Sequence, residues 1–171
     1  NCLTDVTHMT AVVARTTGAP DTVGAAHVPV PEPAPHQVRI RVAAATINRI
    51  DVSARAGRLA AAGLLTRTTD IPLGWDVAGH IDCVGAAVRR FAVGEAVVGL
   101  RDVLSAGGTH AEYVVLDAAA VAPAPRSVTL PVAAALPLAG LTASGSLALA
   151  GVRAGDTVLV IGLGGLGMNG I

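Results

Sequence analysis

Four glycines near the end of the chain have the spacing of a loop that binds phosphate groups. They follow residues 157–161, an apolar and mostly β-branched stretch that predicts a strand. In a strand followed by G-x-G-x-x-G, the first glycine permits a tight turn, the second lets the backbone approach a pyrophosphate, and the third lets the next helix pack closely. The stretch 156–167 therefore predicts a dinucleotide site at Gly162, Gly164, Gly165 and Gly167.

A second group of candidate residues lies outside this loop. Asp51 and Asp76 could act as acid or base, although helix capping and turn formation explain such carboxylates equally well. Trp75, the single tryptophan, could form a pocket wall or pack in the core. Ser144 lacks a nucleophile-elbow motif, and Tyr113 fits a half-buried strand position. The residue types alone leave these chemical and structural roles open.

Metal binding is not predicted from the histidines and cysteines. His80 and Cys83 are close in sequence, but three positions along a strand place their side chains on opposite faces. Two cysteines, Cys2 and Cys83, do not make a disulfide framework, so we expect thiols and a reducing compartment. The expected location is the cytoplasm.

The charged and apolar residues exclude several partners and reactions. Twelve basic and twelve acidic residues give a formal net charge of zero, without the basic surface that nucleic acids or acidic membranes attract. Every basic residue is arginine, so no lysine can form a Schiff base or act as a general base. The apolar run 130–141 contains Pro131 and Pro137 and is too short to span a bilayer. We therefore expect neither a nucleic-acid partner nor a membrane partner.

Short strands dominate the first part of the chain. Turn residues separate segments with the composition or alternation of strands, at 10–15, 37–43, 77–84, 95–100 and 110–116. Asn48 is placed to cap a short helix over residues 49–56, which Gly57 ends. Such strands with little helix between them predict a small closed or nearly closed β-barrel.

The pattern changes after the barrel, because residues 132–149 are rich in Ala and Leu and predict a helical region with a break at Pro137. The predicted strand and glycine loop follow it. We divide the chain into residues 1–8, a leader or expression remnant before Met9; residues 9–125, the barrel; and residues 126–171, linking helices and the first strand and helix of a nucleotide-binding domain. The fold class is mixed β and α/β.

Several longer stretches of the chain match one enzyme family when they are taken together. They are VPVPEPAPHQVRIRVAAATIN, INRID, IPLGWDVAGHIDCVGAAVRRFAVGEAVVGL, GGTHAEYVV and AAALPLAGLTASGSLALAGVRAGDTVLVIG. From Met9 to Met168 the chain resembles the medium-chain dehydrogenase/reductase superfamily, and within it the zinc-independent quinone oxidoreductases similar to zeta-crystallin. The resemblance implies a GroES-like β-barrel that catalyses and binds substrate, followed by the start of an incomplete Rossmann-type nucleotide-binding domain.

The same resemblance implies a site without zinc. Zinc-dependent relatives carry Cys at the position of Asn48, and Gly-His-Glu where this chain has Gly74, Trp75 and Asp76. Both differences remove metal ligands. The resemblance therefore implies direct hydride transfer from NADPH, with NADH not excluded, and no metal.

Family motifs also imply roles for individual residues. Asn48 and Asp51 match the N-x-x-D signature of the quinone reductases, with Asn48 beside the nicotinamide, and Trp75 completes the predicted catalytic group. Thr142, in the stretch GLTA, matches the threonine that helps to hold the cofactor where the two domains join.

Three functions follow as hypotheses. The first is hydride transfer from NAD(P)H to a small-molecule quinone, activated carbonyl or alkene, by a homodimeric cytoplasmic enzyme. The second is an enoyl reductase of a polyketide pathway, which a comparison of enone with quinone substrates would separate from the first. The third is a catalytically silent GroES-like module for binding or assembly, because a nucleotide domain with only its first strand cannot hold a dinucleotide. Titration with NADPH tests this third function.

Overall fold

The computed structural model describes residues 2–3, 5–101 and 107–170, and these residues form two antiparallel β-sheets. The first sheet has three strands in the order β2-β1-β4: β1 (His8–Thr16), β2 (Val23–Pro29) and β4 (Thr69–Pro72). The second has five strands in the order β7-β3-β5-β6-β8: β3 (Gln37–Ala44), β5 (Asp76–Val84), β6 (Ala96–Leu100), β7 (Tyr113–Asp117) and β8 (Val121–Pro123).

The helices lie in two groups. Between β3 and β4 come α1 (Arg49–Arg55) and α2 (Arg58–Ala61). After β8 come α3 (Leu130–Ala133), α4 (Pro137–Leu149) and α5 (Gly165–Met168). The predicted change from strands to helices, with a break at Pro137, is confirmed.

Backbone hydrogen bonds join the two sheets along the segment that precedes β7. The amide of Val12 donates to the carbonyl of His110 over 2.7 Å, and the amide of Glu112 donates to the carbonyl of Thr10 over 3.1 Å. The Glu112 carboxylate also accepts the amide hydrogen of Thr10, with Oε2 2.6 Å from the nitrogen. Because β1 lies alongside residues 110–112, the sheets curl into a half-barrel, which confirms the predicted β architecture.

The main hydrophobic core lies inside this curled sheet. Its residues come from β3, β5, β6, β7, β8 and the turn after β5, and they alternate along the strands with residues of the opposite face. Val38 and Ile40, for example, are fully buried on one face of β3. Burial of such branched side chains is the main force that holds the strands in register. The core residues are Val38, Ile40, Val77, Ile81, Phe91, Val97, Val114, Leu116 and Val121.

Strand β2 is absent from the sequence-based prediction. Its sequence, VGAAHVP, contains Gly and two Ala and has no strong β-branched alternation. The strand forms because it pairs antiparallel with β1 from His8 opposite Pro29 to Ala14 opposite Val23. Its structure therefore depends on its neighbour more than on its own composition.

The predicted strand at residues 157–161 is wrong. These residues form no strand in the described chain, and Leu159 and Ile161 are 83% and 89% exposed. A strand needs a neighbour with which to exchange backbone hydrogen bonds, and no described residue supplies one here. The turn and short helix that follow are present, since α5 begins at Gly165 and packs against α4.

The prediction of thiols at both cysteines is also wrong. Cys2 and Cys83 form a disulfide, with their Cα atoms 4.2 Å apart. Cys2 and Cys83 also form an isolated antiparallel β-bridge, and the amide of Leu3 donates to the carbonyl of Asp82 over 2.9 Å. The sequence interpretation missed this pair because 81 positions separate the two residues. A reducing compartment was expected because both cysteines were predicted to be thiols, and the disulfide removes that support. The disulfide also attaches the predicted leader, residues 1–8, to β5.

One apolar segment extends further than the sequence interpretation assumed. By length and composition alone, Leu130–Leu149, with a mean hydropathy of 1.6, could cross a membrane. In the structure a turn divides it into α3 and α4. Ala133 and Ala134 are fully buried against Ala78 of β5, so the start of the segment packs on the half-barrel.

Candidate functional site

The predicted residue Asn48 lies between β3 and α1, where the backbone changes from extended to helical. Asn48 has extended dihedral angles and forms a capping box with Asp51 at the start of α1. The backbone amide of Asn48 donates to Asp51 Oδ2 over 2.7 Å, and the backbone amide of Asp51 donates to the carbonyl oxygen of Asn48 over 3.0 Å. These bonds satisfy groups that a helix start leaves without partners. The predicted helix and its cap are confirmed.

Asp51 connects this helix start to the loop between β4 and β5. The residue is buried, and Oδ1 accepts the backbone amide of Gly74 over 2.7 Å while Oδ2 accepts that of Asn48. Two backbone amides thus hold the carboxylate in place. This geometry favours a positioning role over a role as acid or base. A direct part of Asp51 in catalysis stays a prediction.

Asp76 is the most heavily bonded carboxylate of the site. It is the first residue of β5 and is only 1% exposed. Its Oδ2 accepts Nδ2 of Asn48 over 2.7 Å and also accepts the hydroxyl of Thr46. Its Oδ1 accepts the backbone amide of Leu138, the second residue of α4, over 2.6 Å. Asp76 therefore joins Asn48 to the start of α4.

Trp75 lies between Gly74 and Asp76 and is 8% exposed. Its carbonyl accepts the amide of Arg101 over 2.7 Å, which holds the backbone against the end of β6. The buried indole Nε1 has no hydrogen-bond partner in the part of the chain that the structure describes, and the same holds for the hydroxyl of Thr109. A buried donor without an acceptor is costly unless a water or ligand completes it.

His110 is a neighbour of this site that the sequence interpretation did not select. Its Nε2 lies 2.9 Å from the carbonyl oxygen of Thr46, two residues before Asn48. His110 also lines a cavity of about 420 Å³ between the first sheet and β7. Gly107 and Gly108, three and two residues before His110, were the available signal in the sequence, since a glycine permits close approach of the backbone. At Gly108 an added Cβ would lie 1.9 Å from the carbonyl oxygen of Leu73.

Thr142 lies on the exposed surface of α4, and its carbonyl oxygen accepts the hydroxyl of Ser146 over 2.7 Å. It follows Leu138 by four residues and so lies on the same side of the helix. The structure therefore brings Asn48 and Asp51 together, and Asp51 accepts the amide of Gly74, the residue before Trp75. It connects them through Asp76 to the helix that carries Thr142.

The glycine loop has one closely packed side and one open side. Gly162 has a φ angle of +99°, and a Cβ on Gly167 would lie 1.8 Å from the carbonyl oxygen of Gly162. Neither position accepts a side chain without rearrangement. Added Cβ atoms at Gly164 and Gly165 would meet no atom within 4 Å. The open backbone at these two glycines fits the close approach of a pyrophosphate, so the loop fits part of a dinucleotide.

A metal site was not predicted, and the described residues contain no group of three or more His, Cys, Asp or Glu side chains placed to hold a metal ion. Asn48 donates its side-chain nitrogen to Asp76, and an amide in that arrangement is not a typical zinc ligand. Zinc independence stays a prediction.

Replacing Gly74 by Ala should disturb this site and destabilise the fold. Gly74 has a φ angle of +95°, and a Cβ there would lie 2.5 Å from Oγ1 of Thr109 and 2.6 Å from the amide nitrogen of His110. Strain and overpacking together predict a loss of about 2–3 kcal/mol in the free energy of unfolding. Urea denaturation measures it.

Gly94→Ala is the matched control. Gly94 has a similar φ of +91° but nothing within 4 Å of an added Cβ. Gly94→Ala should lower the free energy of unfolding by only about 1–2 kcal/mol, which is the cost of a left-handed backbone conformation for alanine. Equal losses in the two variants would show that the contacts around Gly74 add nothing.

Comparison with known proteins shows which family the chain belongs to. Residues 34–126 match the model of the alcohol dehydrogenase GroES-like domain. The chain belongs to this family. It is 36% identical over 151 residues to 2-methylene-furan-3-one reductase of Solanum lycopersicum, covering 82% of this chain and 37% of the relative. It is 35% identical over 151 residues to the chloroplastic NADPH-dependent alkenal/one oxidoreductase of Arabidopsis thaliana, with coverage of 82% and 37%.

A solved structure shows the same similarity in three dimensions. The quinone oxidoreductase of Coxiella burnetii superimposes with a TM-score of 0.79 at 31% identity, over 87% of this chain and 47% of that one. The predicted membership of the medium-chain dehydrogenase/reductase superfamily and the relation to quinone oxidoreductases are confirmed. This GroES-like chain spans 37% of the length of each of the two curated relatives. Its activity, substrate and partners are therefore proposals.

Proposed function

We propose that this GroES-like half-barrel forms the substrate side of an NAD(P)H-dependent reductase that transfers hydride to a quinone or an activated alkene or carbonyl. The observation that carries the proposal is the bridge through Asp76 between Asn48 and α4. It connects the polar residues of the half-barrel to the helix of Thr142. The names of the relatives support the reaction class, since they are reductases of alkenals, an enone and quinones.

The residues of the chain would position the reactants. When it is bound, the nicotinamide supplies the hydride. Asn48, held by Asp76 and by its cap on α1, offers a fixed amide beside the reacting groups. The indole of Trp75 is a buried donor without a partner among the described residues, and it can donate to an acceptor oxygen such as the carbonyl of a quinone or enone. Such fixed donors stabilise charge that develops on oxygen during reduction.

The glycine loop would hold the phosphates of the cofactor. Gly164 and Gly165 present open backbone, and Thr142 lies on the exposed surface of α4. We propose NADPH as the cofactor because the name of one relative specifies it. The residues that choose between NADPH and NADH lie about 20 positions past the glycine loop, beyond this 171-residue sequence. We also propose a cytoplasmic homodimer that acts on a small molecule, without zinc, nucleic acid or membrane partners.

The test is consumption of NADPH by the protein from the complete native reading frame, with a quinone and an α,β-unsaturated ketone as separate acceptors. Asn48→Ala should lower kcat/KM by about 10- to 100-fold, because small misplacements of reactants have effects of this size. Gln37→Ala is the control, since it removes an amide at the opposite end of β3. Absence of NADPH oxidation with every acceptor by the folded protein would refute the proposed function.

Two alternatives are separated by the same measurements. An enoyl reductase of a polyketide pathway would strongly prefer the enone, and α,β-unsaturated thioesters, over the quinone. A silent binding or assembly module is favoured by residues 158–161, which pair with no strand among the described residues and expose Val158, Leu159 and Ile161. Submicromolar binding of NADPH by this 171-residue chain in a fluorescence titration would exclude the silent module. Failure of both the short chain and the complete protein to bind NADPH would favour it.

A further inference from the structure

We propose that Asp76 is a positioning residue that fixes the orientation of the Asn48 side chain and couples it to α4. The proposal starts from three hydrogen bonds to one buried carboxylate, which come from the side chains of Asn48 and Thr46 and from the backbone of Leu138. Its kinetic consequence rests on the proposed function, whereas its structural consequence does not.

The direction of each hydrogen bond follows from the chemistry of the groups. An ionised carboxylate only accepts, so both the hydroxyl of Thr46 and Nδ2 of Asn48 must donate to Asp76. The Thr46 oxygen lies 3.0 Å from the same Nδ2 and on the same side of it as Asp76, so it shares the Asn48 hydrogen that points to Asp76. A flipped amide would place its oxygen 2.7 Å from Oδ2 of Asp76, oxygen against oxygen, and would be repelled.

The other oxygen of Asp76 holds the start of α4. Leu136, the residue before the helix, supplies no capping hydrogen bond from its side chain. Asp76 accepts the amide of Leu138 from the neighbouring strand instead. A negative charge here also interacts favourably with the helix dipole. Because one rigid carboxylate serves both groups, a displacement of α4 relative to β5 changes the position of the Asn48 amide.

A capping role alone would explain the bond to Leu138 but not the bonds to Asn48 and Thr46. Two substitutions separate these functions. Asp76→Asn has nearly the same shape and can still accept the amide of Leu138, but its own amide nitrogen would face the Asn48 amide. Thr46→Val leaves the bond between Asp76 and α4 in place, but it removes the hydroxyl that donates to Asp76 and accepts from Asn48.

The structural experiment measures hydrogen exchange of side-chain amides by NMR in the 171-residue chain. The Nδ2 hydrogen of Asn48 that points to Asp76 should be protected in the unsubstituted protein, and Asp76→Asn should increase its exchange rate by at least tenfold. Thr46→Val should increase the exchange rate of the same hydrogen by a smaller factor. The amide of Gln37, which donates to Asp117 at the surface over 2.9 Å, is the control and should not change in either variant.

The kinetic experiment uses the protein from the complete reading frame. Asp76→Asn should lower kcat at least tenfold and change KM for the acceptor less than threefold. Thr46→Val should lower kcat about threefold or more, and its thermal midpoint should stay close to that of the unsubstituted protein. Unchanged Asn48 exchange in Thr46→Val would overturn the proposal, as would unchanged kcat in a folded Asp76→Asn protein.

The two proposals fail in different ways. If the unsubstituted protein oxidises no NADPH, the proposed function fails, and the exchange rates alone then decide the role of Asp76. If the unsubstituted protein is active and both variants keep full kcat and full protection, the role of Asp76 fails and the reductase function stands. If Asp76→Asn does not fold, the exchange rate of the Asn48 side chain and the kcat of Thr46→Val decide whether Asp76 has the proposed role.

Discussion

Asp82→Ala is expected to lower the free energy of unfolding by about 4 kcal/mol, because it leaves a buried arginine without its buried countercharge. Arg39 and Asp82 are 1% and 2% exposed, and Nε and Nη2 of Arg39 each lie 2.7 Å from Oδ2 of Asp82. Arg39 is in the middle of β3 and pairs with both β5 and β7. Urea denaturation followed by circular dichroism measures the loss.

Glu32→Gln provides the matched control on the same arginine. Glu32 also contacts Arg39, with its oxygen 3.2 Å from Nη1, but its side chain is 79% exposed. Ion pairs of this kind contribute at most about 1 kcal/mol, because water screens the exposed partner. A loss as large for Glu32→Gln as for Asp82→Ala would show that burial of the countercharge is not what stabilises Arg39.

Reduction of the disulfide between Cys2 and Cys83 is expected to lower the free energy of unfolding by about 4 kcal/mol. The bond joins residues 81 positions apart, and closing so long a loop restricts the unfolded chain strongly. Cys2→Ser should have the same effect as a reductant, and because Cys2 is exposed, the substitution leaves the core packing intact. Thermal denaturation with and without dithiothreitol measures the difference.

The variant itself is the control for this experiment. Dithiothreitol should destabilise the unsubstituted protein and leave the stability of Cys2→Ser unchanged. Thiol titration of the unreduced, unfolded protein should find no free thiol. Two free thiols, together with a stability that does not depend on dithiothreitol, would contradict the bond.

Local sequence patterns predicted the elements that determine their own structure. The alternation of Val38, Ile40 and Val42 placed β3 correctly, because a period of two specifies which face is buried. Asn48 predicted the start of α1, and the capping box that it forms with Asp51 satisfies backbone groups within four residues. Glycines with positive φ, such as Gly162, were also visible in the sequence.

Elements that depend on distant partners were predicted poorly. Strand β2 forms against β1 although its composition is weak, and residues 157–161 form no strand although their composition is strong. In both cases, the presence or absence of a neighbouring strand decided the outcome. Propensity is a weak term compared with the hydrogen bonds and burial that pairing supplies.

The amino-acid sequence by itself determined the family and the curled β architecture, and it placed Asn48 at the start of α1, where Asn48 contacts Asp51. Only the tertiary structure decided that Asp76 connects Asn48 to α4, that His110 contacts Thr46 and that Cys2 bonds to Cys83. The physical reason is separation along the chain. Asp76 accepts from residues 28 and 62 positions away, and no local pattern records contacts that form only when distant strands and helices pack.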